Sequence, residues 1–440
     1  MESPLAGIVS HLNLINVTAL VAAGILMAYC LLSNRVYALM FTLVLSASLV
    51  GTTIPIIDSI ASLVRWLSVL LLLLTGILFS KIEIPLGLLL FWGYVFSGYV
   101  SLFRAISFNW QFQRGLLLVI VAVAIPIAYS NRSYKAYRST LVLIAIVATI
   151  FSILNSLSLP SHLSDPIRSM GYSKTAPALT VVLGGLLPFS FWGLWSVKSK
   201  VIRIALGLGF LSGIATLVLS GQRAGTVAGI IGLIPLALTT TIRKKNIGWS
   251  LLLAILLFLL GFFLIQQSSV QRIDFLLSRY RLDAGLSNRD WIWQLALSEI
   301  EENPLLGQGI GAAEWVISSS FHNAYLEVWF NAGFLGLVLF VTSQIYFFCR
   351  IFYLYRVSGD PETKSILALA LGCMLGFVVL CIFESIGAGA SNLNLILYLF
   401  LGVLVSSDVL FTVTSSPVSA ETSTLKSNPE VAMASDYCIR

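Results

Sequence analysis

The chain has 440 residues, 58% hydrophobic and 10% charged, with a formal net charge of +7 and a mean hydropathy of +0.94. Soluble globular domains carry about 25% charged residues, so the composition excludes one and specifies a polytopic membrane protein. The positive charge does not specify a nucleic-acid partner, because the basic residues lie in short loops beside helix ends, where membrane topology accounts for them.

Apolar runs near the ~20 residues that cross a bilayer as a helix fill nearly the whole chain. Their Leu/Ile/Val/Gly/Ala mixture lacks the period-2 alternation of a membrane barrel. The expected fold class is therefore all-α, a membrane protein of 12 to 13 transmembrane helices in which each span closes its own backbone hydrogen bonds. In chain order the spans are expected near 15–33, 36–54, 63–80, 84–103, 114–130, 139–158, 176–196, 202–220, 223–242, 248–267, 324–349, 364–384 and 391–411. Met1 to Gly7 carry no Lys or Arg, so the charged start of a cleaved signal peptide is missing and the first span is expected to be retained.

Arg35, Lys81, Arg132/Lys135/Arg138, Lys198/Lys200/Arg203, Arg243/Lys244/Lys245 and Arg350/Arg356/Lys364 then fall on one side. By the positive-inside bias that side is cytoplasmic. Thirteen spans put the N-terminus outside and the C-terminus inside, and twelve put both inside. Of five cysteines, Cys30, Cys349, Cys373 and Cys381 lie in or at apolar spans and Cys438 in the tail, so no disulfide framework is implied.

One hydrophilic stretch, 268–322, interrupts the rhythm on the external side. Within it Ser287-Asn288-Arg289-Asp290 has the S-x-x-D form of a helix cap, and the run through Trp291, Leu295 and Ile300 stops before Pro304. That pattern predicts an external helix starting at Arg289. The glycines of Leu306-Gly307-Gln308-Gly309-Ile310-Gly311 are expected to form a flexible turn leading back to the membrane at His322. They look like part of a dinucleotide fingerprint, but no strand precedes them and no βαβ unit could surround them, so nucleotide binding is excluded. From Thr412 the chain is rich in Ser, Thr, Pro and Glu and reads as a disordered cytoplasmic tail.

Three positions stand out. Arg223 lies in Ser220-Gly221-Gln222-Arg223-Ala224-Gly225, a glycine-flanked break between two spans on the external side. Its planar fork matches phosphate oxygens, and the alternative is a side chain snorkelling to lipid headgroups. Arg289 occupies the first turn of the external helix, where free N–H groups already favour an anion, and a pair with Asp290 or Asp283 is the alternative. Arg272, Arg279 and Arg281 add positive charge nearby. His322, at the mouth of a span, has the chemistry of a general base or acid near neutral pH, with a cap or interface histidine as the alternative. Asn323 could fix its tautomer or bind a sugar hydroxyl, and Glu327, one turn on, could do likewise. His11 and His162 have no such setting and are taken as structural.

Two arginines and a histidine facing outwards suit a diphosphate leaving group. Charge develops on it as its bond to carbon breaks, and fixed cations or a metal must neutralise that charge. The external segments offer no paired carboxylates for a metal, the first external loop holding only Asp58, so arginines are the expected device. His322 would take the proton of an attacking sugar hydroxyl.

The ordered set of motifs resembles the superfamily of O-antigen ligases and Wzy-like polysaccharide polymerases. It comprises the Ser-Gly-Gln-Arg-Ala-Gly turn, then Asn288-Arg289-Asp290-Trp291-Ile292-Trp293, then Asn303-Pro304-Leu305-Leu306-Gly307-Gln308-Gly309, then His322-Asn323-Ala324-Tyr325-Leu326-Glu327-Val328-Trp329. The resemblance covers roughly 205–345. It implies a GT-C type membrane glycosyltransferase of the bacterial inner membrane, working on its periplasmic face without metal or other cofactor, with undecaprenyl-diphosphate-linked glycan as donor. It also implies diphosphate contacts for Arg223 and Arg289 and activation of the acceptor by His322. Gln222 stands where the family often has Ser, and with Asn323, Glu327 and Arg279 it is a candidate for acceptor binding or support.

The organisation is then 1–200, N-terminal helices; 201–411, the ligase/polymerase-like catalytic region including the external segment 268–322; and 412–440, the tail. The wording of the arginine and histidine motifs is closer to exopolysaccharide polymerases, which use a second lipid-linked repeat unit as acceptor, than to ligases, which use lipid A-core. Membrane lipids are further partners, and a chain-length regulator is a candidate one that the residues do not specify. The alternative from another class is a transporter, a flippase or bicarbonate-type anion carrier. Such a protein places its site near the midplane on broken helices, whereas here the polar residues cluster at one face, with Arg65 and Glu384 expected toward helix ends.

Overall fold

The computed structural model describes residues 29, 33–157, 172–173, 175–220, 222–243, 289–317, 320–386 and 392–407. The expected spans 15–33 and 248–267, the tail, and Arg272, Arg279 and Arg281 fall largely or wholly outside them. The described elements are α1 (Val36–Leu49), α2 (Pro55–Phe79), α3 (Leu86–Val100) with a 3-10 turn Ser101–Arg104, α4 (Phe108–Tyr129), α5 (Tyr134–Leu157), α6 (Ala176–Ser196), α7 (Lys200–Ser220), α8 (Arg223–Arg243), α9 (Arg289–Glu302), α10 (Ala312–Ile317), α11 (Ala324–Val357), α12 (Pro361–Phe383) and α13 (Leu393–Ser406). No strand occurs among the described residues beyond one isolated bridge, Thr52 to Ser173. Among the described residues eight helices are long and apolar enough to cross a membrane, and α1, α13 and most of α8 are shorter apolar helices. The protein is an all-α polytopic membrane protein.

Local chemistry sets the ends. Pro55 opens α2, where a missing N–H costs nothing, so that helix begins eight residues before the expected 63. Asp360 accepts the Thr363 N–H at 2.7 Å to start α12, and Asn392 accepts the Asn394 N–H at 2.9 Å to start α13. Helix α13 is apolar all round and buried from Leu393 to Val405, as a helix without a polar face must be. It forms the axis of the bundle, packed against α3, α4, α6, α11 and α12.

Small residues let backbones approach closely where apolar lipid supplies no drive for association. A Cβ on Gly372 would meet the Gly232 carbonyl, one on Gly376 the Ala228 carbonyl at 3.2 Å, and one on Gly184 the Gly225 carbonyl at 2.8 Å. Helices α8 and α12 therefore run antiparallel in a register of 232 with 372 and 228 with 376. One turn on, this brings the start of α8 level with the end of α12.

The loops that carry or adjoin Lys81, Arg132 and Arg138 meet at one end of the bundle. Arg132 Nη1 donates to Asn34 Oδ1 at 2.8 Å, Asn131 Nδ2 to the Lys81 carbonyl at 3.1 Å, Arg138 pairs with Glu362 at 2.5 Å and donates to the Ser196 carbonyl at 3.1 Å. At the opposite end lie the N-terminus of α8, the C-terminus of α12, α9, α10 and His322. Arg65 is not near a helix end as expected. It is the eleventh residue of the 25 in α2 and only 6% exposed, with its guanidinium 5.0 Å from the Trp66 ring centroid.

Helix α11 is two helices joined at a break. Gly333 has φ 70° and ψ −179°, a conformation open almost only to glycine. The segment after α9 fills the break: Gln308 N–H donates to the Phe330 carbonyl and Gly309 N–H to the Asn331 carbonyl, each at 2.8 Å, and Phe334 N–H donates to the Pro304 carbonyl at 2.8 Å. The glycine-rich stretch expected as a flexible turn is thus a backbone clasp on a broken helix. It satisfies groups that the break would otherwise leave bare.

Candidate functional site

Helix α9 is described from Arg289 to Glu302, and the expected cap residues Ser287 and Asn288 lie outside the described residues. Its inner face packs Ala296 and Ile300 with Ala312, Ala313, Phe321 and Phe330 into a small core of its own. From this platform Trp293 Nε1 donates to the Phe321 carbonyl at 3.0 Å, and the buried Phe321 ring meets Phe330 edge-on at 5.2 Å. Asn323 caps the following helix, its Oδ1 accepting from the N–H of Tyr325 at 3.0 Å and of Leu326 at 3.1 Å. His322 sits between these two anchors at φ 50°, a left-handed backbone that a non-glycine residue keeps only where its surroundings fix it.

The His322 ring meets the carboxylate of Glu384, the residue that caps the C-terminus of α12. Nδ1 is 3.1 Å from Glu384 Oε2. The other oxygen, Oε1, is 3.1 Å from Arg289 Nη2, and Arg289 Nη1 donates to the Phe383 carbonyl. One carboxylate is therefore shared by an arginine and a histidine. The Glu384 side chain is 8% exposed and Arg289 16%, while His322 is 31% exposed. A carboxylate engaged by a guanidinium offers only acceptors, so His322 Nδ1 carries the hydrogen, and in the neutral ring the lone pair is on Nε2. An acid, a buried guanidinium paired with it, and a half-open imidazole whose second nitrogen points away from the acid form an arrangement that can take a proton from a hydroxyl group.

The sequence-predicted residues divide as follows. Arg289 and His322 are brought together. Arg223 is the half-buried first residue of α8, and the register of α8 with α12 sets it at the same end of the bundle, level with the turn that precedes Glu384. Gln222 is 7% exposed and its carbonyl accepts from Thr226 Oγ1 at 2.8 Å, which ties the break to α8. Asn323 spends its Oδ1 on the cap. Glu327 is 4% exposed. Among the described residues no three of His, Cys, Asp and Glu are grouped closely enough to hold a metal ion together.

Glu384 is the residue that sequence reasoning missed. It is the only charged side chain between Lys364 and Asp408, and a lone ionisable group in so apolar a stretch is a functional candidate by default. A second ion pair lies at the same end of the bundle: Arg114 Nη2 is 2.8 Å from Glu314 Oε2, and its guanidinium stands 4.5 Å from the Trp110 ring centroid. It fastens α4 to α10, eight residues before His322.

Residues 208–341 match the O-Antigen ligase family. No curated protein matches the chain. The matched stretch contains Arg223, Arg289 and His322 and stops short of Glu384. It supports a membrane glycosyltransferase of the O-antigen ligase and polymerase type.

Proposed function

We propose that the chain is a metal-independent, inverting glycosyltransferase with an undecaprenyl-diphosphate-linked glycan as donor, and that it is a polysaccharide polymerase of the exopolysaccharide or O-antigen kind. The observation that carries the reading is the single carboxylate of Glu384 held between Arg289 and His322. It orients the imidazole with Nε2 outward and stabilises the imidazolium that forms, as an acid paired with a catalytic histidine does.

In the reaction an acceptor hydroxyl attacks the anomeric carbon opposite the diphosphate. The carbon–oxygen bond to the diphosphate breaks with its electron pair on the leaving oxygen, and the hydroxyl proton passes to His322 Nε2. Undecaprenyl diphosphate departs. Arg223 and Arg289, the latter through the N–H donors that Glu384 and Phe383 leave over, are the countercharge for the leaving group. The positive-inside bias supports a cytoplasmic basic end, and on this reading the His322 end faces the periplasm. The polymerase assignment rests on the motif wording, with a second lipid-linked repeat unit as acceptor and a chain-length regulator as a candidate partner. A transporter would hold its ionisable groups near the midplane, and the His322 cluster lies at one end.

The test is the purified protein in liposomes, supplied with the host's undecaprenyl-diphosphate-linked repeat unit, with and without lipid A-core. A product ladder from the donor alone is expected, abolished in His322→Ala and slowed roughly 10²–10⁴-fold in Glu384→Gln. A single shift that requires lipid A-core makes the protein a ligase instead. Normal product from His322→Ala removes the histidine from the mechanism.

A further inference from the structure

The stretch of α11 before Gly333 does not point away from the stretch after it. Tyr325, the second residue of α11, donates from Oη to Gln344 Oε1 at 2.9 Å, and its ring centroid lies 6.0 Å from that of Phe340. The bonded residues are 19 positions apart, a separation of roughly 28 Å along a straight helix, which the two side chains cannot span. The first stretch of α11 is therefore folded back at Gly333 along the second, and Tyr325 is tied down to Gln344.

This tie joins the two segments that form the site. At one end the Tyr325 N–H donates to Asn323 Oδ1 at 3.0 Å, next to His322. At the other, Ser343, the neighbour of Gln344, is hydrogen-bonded to Tyr398 Oη of α13 at 2.7 Å. The Tyr398 ring in turn stacks on Phe377 of α12, with centroids 4.6 Å apart, and Phe377 lies two turns, roughly 10 Å, before Glu384. Contacts thus run from the segment of His322 through α11 and α13 to the helix that ends at Glu384. The other anchors of His322, Trp293 on the Phe321 carbonyl and the Asn323 cap, are local to α9 and the start of α11.

Stability alone does not call for this pair, because replacing both partners of a buried hydrogen bond by apolar groups of the same shape is nearly neutral or stabilising. Gln344 is 5% exposed, and its Nε2 meets no partner among the described residues, a penalty that an apolar side chain would lift. What the pair adds is direction. Ring packing on Phe340 admits several placements of the first stretch of α11, and a hydroxyl bonded to one amide oxygen selects one of them.

We propose that Tyr325 is a positioning residue, whose bond to Gln344 sets how far the first stretch of α11 folds back and so holds His322 Nδ1 against Glu384. Its bearing on turnover rests on the transferase reading, but its bearing on the His322 ring does not. The chain has three histidines, His11, His162 and His322, so the 15N signal of His322 is assigned by its loss in His322→Ala.

Turnover is expected to fall roughly tenfold in Tyr325→Phe and in Gln344→Leu, with little change in donor KM. The double variant should fall no further than either, because both substitutions break the same bond, and its melting temperature should hold. In all three the His322 Nδ1 signal should move toward its position in Glu384→Ala. A folded Tyr325→Phe protein with an unmoved His322 signal overturns the proposal, and so do losses of turnover that add in the double variant. If Tyr325→Phe does not fold, the double variant, in which neither partner is left bare, decides: a moved His322 signal supports the proposal and an unmoved one overturns it. The signal is read without substrate, so a wild-type protein that transfers no sugar would sink the transferase reading while the role of Tyr325 is still settled.

Discussion

At the scale of residues, the site turns on a carboxylate with two claims on it. Glu384 is buried with Arg289, and removing only the cation leaves a buried charge unpaired, which typically costs 3–5 kcal/mol. Arg289→Ala is therefore expected to destabilise the folded protein by about 3 kcal/mol. Glu384→Ala made in the Arg289→Ala background should recover part of that loss, a coupling that a double-mutant cycle on denaturation in mild detergent reads directly. Additive losses would mean that Arg289 and Glu384 do not depend on each other. Two of the three residues that meet at this site are legible in the sequence. Arg289 and His322, like Arg223 at the same end of the bundle, sit in motifs flanked by glycine, tryptophan and asparagine, and charged groups at the edge of apolar spans are rare enough to notice. Glu384 is equally rare, but its partners lie 95 and 62 positions away, and no local spacing shows that an acid closing one helix will meet a histidine opening another.

At the scale of elements, periodicity and caps locate the helices well. The external helix expected before Pro304 is present as α9, and α8 runs from Arg223 as its glycine-flanked break implies. What periodicity does not reveal is that α11 is broken. Its apolar run continues through Gly333, and the evidence for the break is a set of backbone hydrogen bonds, two donated by the Gln308 and Gly309 N–H groups and one accepted by the Pro304 carbonyl, from a stretch well before it in the chain. The glycines of that stretch look like a flexible turn because their neighbour across the gap cannot be seen in the sequence. Gly333→Ala tests the clasp. Its Cβ would run into the backbone of Leu305 and Leu306, and the conformation is itself worth about 1–3 kcal/mol of strain for any other residue. The variant should lose about 3 kcal/mol or more and expose the Gln308 and Gly309 amides to hydrogen exchange. An unchanged exchange pattern would show that the clasp does not hold the broken helix.

At the scale of the whole molecule, composition alone gives an all-α membrane bundle, and the alternation of basic loops separates its two ends. The geometry sharpens that separation, since the Asn34–Arg132, Lys81–Asn131 and Arg138–Glu362 contacts tie basic loops together at the end opposite His322. Moving several cations across a bilayer is so unfavourable that this end and the site should lie on opposite sides of the membrane. Replacing the five native cysteines gives a background for labelling. Glu301 of α9 and Lys135 of α5 are both exposed, one at each end. A membrane-impermeant maleimide applied to intact cells is expected to label Glu301→Cys and to reach Lys135→Cys only after permeabilisation. The reverse pattern would put His322, Glu384 and Arg289 in the cytoplasm, where a lipid-linked donor flipped to the outside could not reach them, and the periplasmic transferase reading would fail with it.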